Sequence, residues 1–372
     1  MIFFVLCKAL MTMAESVRRP VTAHDVARLA GVSQSAVSRT YTKGASVAPK
    51  TREKVEAAAA ALGYRPNFVA RSLITRRSSL VGVVIPSMVN PFYSAVLEAL
   101  SKAFEETGYR VLLFSTSTNE NSDPILEEVL RHRVEALILV SSSLSSHFAQ
   151  ECKQTGLPVV LLNRKNDSDT VSSVTSDNAK GGEVIADFFV STQHKHLAFM
   201  AGNEHSSTSR DRERSFTSRL AQHGYPAPLR EVGNYNFADA MASTRLLMSR
   251  QSPPDGIFCA NDLMAIAALN VITKELGLVP GKDVSVVGFD NIDIAGWPLV
   301  GLTTYVQPID QLVEQAIGII RAQLEESTTP SIQQVLPGNL IIRDSARRPV
   351  TGLTKLGQDT IWAPTEIGKA TS

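Results

Sequence analysis

Only three cysteines occur in the 372 residues, and Cys7, Cys152 and Cys259 stand far apart. That spacing excludes a disulfide framework and a CxxC metal site, and it fits a reducing cytoplasm. No stretch approaches the roughly 18 consecutive apolar residues of a membrane-spanning helix. Catalytic signatures are missing as well: there is no GxGxxG, no P-loop and no GxSxG. The seven histidines (His24, His132, His147, His194, His196, His205, His223) form no HExxH and no i,i+4 pair, so neither a metal nor a cofactor is expected. His194 and His196 flank Lys195 at strand-like spacing and read as surface residues. No Ser/His/Asp set can be picked from chain order alone, and the chain is read as a non-enzyme.

Net charge is nearly absent too, with 37 Lys and Arg against 36 Asp and Glu. The average hides a partition. Between Val17 and Ser79 there are 12 basic and 3 acidic side chains, whereas residues 80–372 carry 24 basic and 32 acidic ones. A small basic module is joined to a large acidic one, and the basic one points to nucleic acid. The length and 44% hydrophobic content suit two or three domains. The start, MIFFVLCKALMTMAES, has a short apolar run with no basic residue before it, which is a poor signal peptide. Residues 1–19 are expected to be a disordered leader or a misassigned start, since Met11 and Met13 lie just ahead of the first structured segment.

From Val21 the sequence reads VTAHDVARLAGVSQSAVSRTYTKGASVAPKTREKVEAAAAALGY. Thr22 and Asp25 have the spacing of a capping box, and Gly31 ends the helix they start. Ser33 caps a second helix, with Ala36, Val37 and Tyr41 inward. Pro49 opens a third helix through Leu62, packed by Val55, Ala58 and Ala59. Two short helices around a glycine turn, braced by a third, make a helix-turn-helix domain over residues 20–66, whose second helix enters the major groove of DNA. Gln34, Ser35 and Arg39 then face base edges, because Gln pairs with adenine and Arg with guanine. Lys43, Lys50, Thr51 and Arg52 are expected to hold phosphates, which supply affinity without sequence information.

VTAHDVARLAGVSQSAVSRT, TREKVEAAAAALGY and the following RPNFVARSL closely resemble the signature of the lactose-repressor/galactose-repressor (LacI/GalR) family of bacterial transcription regulators. The resemblance extends to about Ala346. Two departures stand out: the family usually has Asn where Thr42 stands and Ser where Ala48 stands. The second removes a helix cap worth about 1 kcal/mol, partly offset by Pro49.

Residues 67–79 read as a linker holding one or two turns of helix, too short to be stable alone. The resemblance implies a hinge helix that folds on DNA, pairs across a dimer and places Leu73 in the minor groove, with Ala70 as the small residue that lets the two helices approach. An apolar wedge of that kind unstacks a flexible step and bends the duplex.

Beyond Leu80, LVGVVI, YRVLLFS, VEALILV, LPVVLLN, HLAFMAG, DGIFCAN and DVSVVGFD are short apolar runs separated by amphipathic stretches. This strand–helix alternation demands doubly wound parallel sheets, and about 260 residues is large for a single sheet. The fold expected is α plus α/β: the helix-turn-helix domain, the hinge helix, then an effector-binding and dimerisation domain over residues 80–346. By resemblance that domain is similar to the periplasmic sugar-binding proteins. It has one lobe near 80–175 and 308–335, the other near 176–306 and 336–346, and a polar tail over 347–372. Chain crossings are implied near Val174–Asp177, Tyr305–Pro308 and Leu336–Asn339. The tail shows no sustained heptad, so no tetramerising coiled coil is expected.

Ligands in such sheets lie beyond the carboxyl ends of strands. Asn90 and Phe92, Asn163, Asn261 and Asp290 all follow apolar runs, and Arg212 lies where a strand gives way to a helix. The resemblance implies that Arg212, Asn261 and Asp290 make polar contacts with an effector and that Phe92 and Phe237 cover it. Such a set suits a polyhydroxylated molecule, a sugar or sugar derivative. Asn261-Asp262 ahead of LMAIAAL also reads as a plain helix cap, Gly181-Gly182 as a close-packing site, and Trp297 as packing near the hinge. The function implied is a cytoplasmic, dimeric repressor that binds a near-palindromic operator in double-stranded DNA under control of a small sugar-like effector, with no membrane partner. A sugar-processing enzyme or plain binding protein would account for the large module alone, and neither needs the basic module or Leu73.

Overall fold

The computed structural model describes residues 21–42, 44–66, 77–115, 123–141, 146–165, 170–325 and 330–364. The expectations for the leader, Lys43, Ala70 and Leu73 lie outside the described residues. The chain divides into two compact units, Met1–Ser78 and Ser79–Ser372.

In the first unit α1 spans Ala23–Ala30, α2 Gln34–Thr40 and α3 Pro49–Leu62. Thr22 and Asp25 form the reciprocal capping box, and Gly31 takes the left-handed conformation (φ 63°) that ends α1. Ser33 Oγ accepts from Ala36 N at 3.2 Å to start α2. Val26, Val37 and Val55, one from each helix, are fully buried at the centre. Ala48 makes no side-chain cap at α3.

The second unit holds two sheets. The first contains β1 (Leu80–Ile85), β2 (Arg110–Ser115), β3 (Ala136–Val140), β4 (Val159–Leu162), β5 (Ser172–Ser176) and β11 (Gln333–Leu336). Their order is β11-β5-β4-β3-β1-β2, with all pairs parallel. Its helices are α4 (Pro91–Thr107), α5 (Asp123–Arg131), α6 (Ser146–Thr155) and α11 (Ile309–Glu325). The second sheet contains β6 (Leu197–Ala201), β7 (Leu229–Val232), β8 (Gly256–Cys259), β9 (Ser285–Asp290), β10 (Thr303–Val306), β12 (Leu340–Ile341), β13 (Leu353–Leu356) and β14 (Asp359–Trp362). Its helices are α7 (Asn178–Ser191), α8 (Ser207–Gln222), α9 (Phe237–Met248) and α10 (Asp262–Asn270). The order is β13-β14-β12-β10-β9-β8-β6-β7, parallel from β10 to β7 and antiparallel at the other end. The chain passes between the sheets three times: after β5, after β10 and between β11 and β12.

Four features depart from the sequence reading. The 347–372 stretch is not simply a polar tail: β13 and β14 form a hairpin about Gly357 (φ 60°) that extends the second sheet. Trp362 anchors it, buried edge-on against Phe188 with ring centroids 5.6 Å apart. His194 is buried rather than at the surface, bonded through Nε2 to Ser285 Oγ at 2.8 Å. Trp297 is not packed but 56% exposed. Finally, β5 (SSVTS) is a fully buried strand without an apolar run. Its serines satisfy themselves instead, as Ser172 Oγ accepts from Gln323 Nε2 and from Ile332 N.

Candidate functional site

Two surfaces carry the sequence-derived residues. On α2, Val37 faces the core while Gln34, Ser35 and Arg39 are exposed on the opposite side, joined by Ser38. Ser35 Oγ lies 2.9 Å from Ser33 Oγ, within the first turn. Lys50 is exposed and Thr51 half-buried at the start of α3. Arg52, expected to hold phosphate, keeps a partly exposed side chain and donates from Nη1 to the Thr40 carbonyl at 2.9 Å. That bond braces the end of α2 against α3, because the last carbonyls of a helix have no partner of their own.

The second surface is a cavity between the two lobes of the large unit. Asn90 caps α4, accepting from Phe92 N at 3.0 Å, and this turns the Phe92 ring inward, where it is buried. Asn163 ends β4 in a left-handed conformation (φ 59°), a region that Asn tolerates. Asn261 ends the β8 segment and accepts from Met264 N at 3.0 Å. The helix-cap reading of Asn261 therefore holds, and its side chain also faces the cavity. Arg212 comes from α8, which lies close to α7 because a Cβ on Gly182 would stand 2.6 Å from the Arg212 carbonyl oxygen. Asp290 ends β9 at φ 124°, a backbone region rarely populated by non-glycine residues. Asn90, Phe92, Asn163, Arg212, Asn261 and Asp290 thus meet at the carboxyl ends of strands around one cavity.

The electrostatics centre on two buried carboxylates, Asp262 and Asp290, and the buried Arg212 guanidinium beside them. Arg212 Nε donates to Asn178 Oδ1 at 2.8 Å, and Nη1 donates to the Ala260 carbonyl and stands 3.8 Å from Asp290 Oδ1. Burial pushes the Asp290 carboxyl up to about 6, against the opposing pull of Arg212 and of bonds from Gln307 and Asn90. Behind it Asp262 is held well above the usual carboxylate range by burial and by Asp290, while accepting from Thr304 Oγ1 and Ile292 N. Arg164 crosses the cleft: Nη1 donates to the Ser141 carbonyl at 2.9 Å and Nη2 to the His205 carbonyl at 2.7 Å. The space open to a water molecule's centre is about 30 Å³, room for about two waters.

Two polar atoms in these walls are buried and have no hydrogen-bond partner: Asn163 Oδ1, an acceptor, and Asn261 Nδ2, a donor. Buried polar groups are normally satisfied, so an unpaired donor and acceptor on two residues that line one cavity point to a ligand that has both. Phe237 is not among the walls; it starts α9 and is 36% exposed. Tyr235 takes its place, turned by positive φ at Asn234 and Tyr235 and lying on Gly202. The sequence reading also missed Ser141 and Thr208 as walls, although Ser141 obeys the same strand-end rule; Arg164, which follows Asn163 at the end of β4, is where that rule puts it. Among the described residues no group of three or more His, Cys, Asp or Glu side chains is arranged to hold a metal ion.

Known proteins fit this pattern. Residues 22–67 match the family model of bacterial regulatory proteins of the lacI family, and residues 186–346 match that of the periplasmic binding protein-like domain. The chain is 28% identical over 338 residues to the probable HTH-type transcriptional repressor ExuR of Bacillus subtilis (strain 168), covering 89% of this chain and all of that one. It is 29% identical over 318 residues to the ribose operon repressor of Escherichia coli (strain K12), covering 84% of this chain and 95% of the relative. Among solved structures, the lac repressor dimer bound to operator and the anti-inducer ONPF superposes with a TM-score of 0.78 at 28% identity, covering 89% of this chain and all of the other.

Proposed function

We propose, for a chain that belongs to the LacI/GalR family of sequence-specific, DNA-binding transcription regulators, that it acts as a homodimeric repressor whose hold on its operator is set by a sugar or sugar derivative in the interlobe cavity. It is a regulator and not an enzyme. The observation that carries the ligand reading is the pair of unpartnered atoms, Asn163 Oδ1 and Asn261 Nδ2, beside Asp290 and Arg212. Vicinal hydroxyls both donate and accept, so a polyol satisfies all four groups at once. The relatives point the same way: one is a ribose operon repressor, and a solved relative is the CelR–cellobiose complex.

On the DNA side, Gln34, Ser35 and Arg39 read bases in each half-site, and Lys43, Lys50, Thr51 and Arg52 hold phosphates. Two-fold symmetry of the dimer calls for a near-palindromic operator, with Ala70 and Leu73 of the paired hinges at its centre. The second copy has an apolar surface to meet: Leu299 is fully exposed beside Pro280, with Val279 adjacent to Pro280 in sequence, Trp297 two residues before Leu299, and both also exposed. No helix among the described residues is long and apolar enough to cross a membrane; the reading as an operator-binding repressor carries a cytoplasmic location with it.

A thermal-shift screen of neutral sugars, sugar acids and polyols on the full chain tests the ligand reading. A binder present at a hundredfold excess over its Kd adds about 2.7 kcal/mol and raises Tm accordingly. A panel in which no member moves Tm, while purified chain still binds DNA, removes the sugar from the proposal and leaves the regulator.

A further inference from the structure

A closed ring of buried polar groups ties the cavity to the segments where the chain crosses between lobes. Gln307, directly after β10, donates from Nε2 to Asp290 Oδ1 at 2.6 Å, and its Oε1 accepts from Ser176 Oγ at 2.8 Å. The Ser176 carbonyl accepts from Asn178 Nδ2 at 3.0 Å. Asn178 Oδ1 accepts from Arg212 Nε at 2.8 Å, and Arg212 Nη1 faces Asp290 across 3.8 Å to close the ring. None of the five residues is more than 4% exposed.

Arg212 and Asp290 line the cavity, but Ser176, Asn178 and Gln307 do not. They sit at the first and second crossings, which are bonded to the third: Asp177 N donates to the Leu336 carbonyl at 2.7 Å and Val306 N to the Asn339 carbonyl at 2.8 Å. In a low-dielectric interior a half-satisfied network is costly, so its members shift together or not at all. A ligand hydroxyl that bonds Asp290 draws on the oxygen to which Gln307 is tied. Gln307, held at its far end by Ser176, follows only by moving the crossing.

We propose that Gln307 is a positioning residue that carries ligand contact at Asp290 into the crossing segments, so that the angle between the lobes answers to the occupant of the cavity. This regulatory role rests on the reading that the cavity takes the effector. The physical coupling it requires is a property of the chain alone, and a sugar-free experiment reaches it.

Hydrogen exchange is measured on four full-length chains: wild type, Asp290→Ala, Gln307→Met and the double variant. Loss of the Asp290 carboxylate is expected to speed exchange at the Asp177 and Val306 amides by about tenfold through local opening. In the Gln307→Met background the same change adds nothing at those amides. A Gln307 that only supports packing raises exchange broadly and leaves the Asp290 effect intact in both backgrounds, which overturns the proposal. An Asp290 effect confined to β9 and its neighbours overturns it as well. Should Gln307→Met fail to fold, Ser176→Ala removes only the far bond of Gln307 and is expected to give the same loss of coupling. Because no sugar is added, an empty sugar screen and a failed ring are separate results.

Discussion

The Arg212 guanidinium lies 3.5 Å over the centre of the Phe289 ring, fixed there while it faces the Asp290 carboxylate. A cation held on an aromatic face and bonded by Asn178 and the Ala260 carbonyl cannot swing to meet the carboxylate more closely. Asp290 therefore gains only part of the compensation that its burial requires, which is why its carboxyl is pushed up to about 6.

A stability profile follows from that shift. The carboxyl binds its proton more tightly folded than unfolded, where it titrates near 3.8. Between those values the folded chain carries more protons, so stability contributed by this group is present at low pH and is lost as pH rises through about 6. Asp290→Asn mimics the protonated form and escapes that loss. Urea midpoints of the two chains should draw level near pH 4, with the variant gaining on wild type up to pH 7. A constant difference across the range would mean that Asp290 titrates normally.

His194 has the opposite slope. Burial foremost, and then Arg347, lower its ring from 6.5 to about 4, so the folded chain binds fewer protons between those values. The contribution is present above about 6.5 and disappears as pH falls toward 4. His194→Gln should flatten the acid limb of the stability curve relative to wild type, at the cost of the Ser285 bond near neutrality. An acid limb of unchanged steepness would assign the loss to other groups.

Arg39 and Arg52 of the helix-turn-helix unit are expected to respond differently to truncation. Arg39→Ala should cost about 1–3 kcal/mol at the operator and flatten discrimination among base substitutions in each half-site. Arg52→Ala removes the bond to Thr40 and loosens α2, weakening all operator variants alike. Binding measured across a half-site substitution series distinguishes the two; retained discrimination in Arg39→Ala would take that residue off the base edges.

Much of this was legible in the sequence, for physical reasons that also mark where legibility ends. Thr22, Gly31, Ser33 and Pro49 announce helix boundaries because caps and turns demand particular side chains. The apolar strands betray themselves by burial on both faces, whereas β5 hides because its serines are paid in hydrogen bonds rather than hydrophobic contact. Asn90, Asn163, Asn261 and Asp290 follow visible strands and were found. Asn178 and Gln307 follow strands with no apolar run, β5 and β10, and were not. Tyr235 rather than Phe237 faces the cavity because two successive positive φ values reverse the chain, and no pattern in the residues discloses that. The hairpin at the carboxyl end hangs on the single buried Trp362, too little for a periodicity to show.

The account turns on thermodynamic linkage between cavity and DNA. The most direct measurement takes an operator duplex selected from a randomised library and the sugar that gives the largest thermal shift, and determines each one's Kd with and without the other. The two ratios should be equal and differ from one, and both should collapse to one in Asp290→Ala while that chain still binds the duplex. Operator affinity that stays the same from zero to saturating sugar in the wild-type chain would contradict the account.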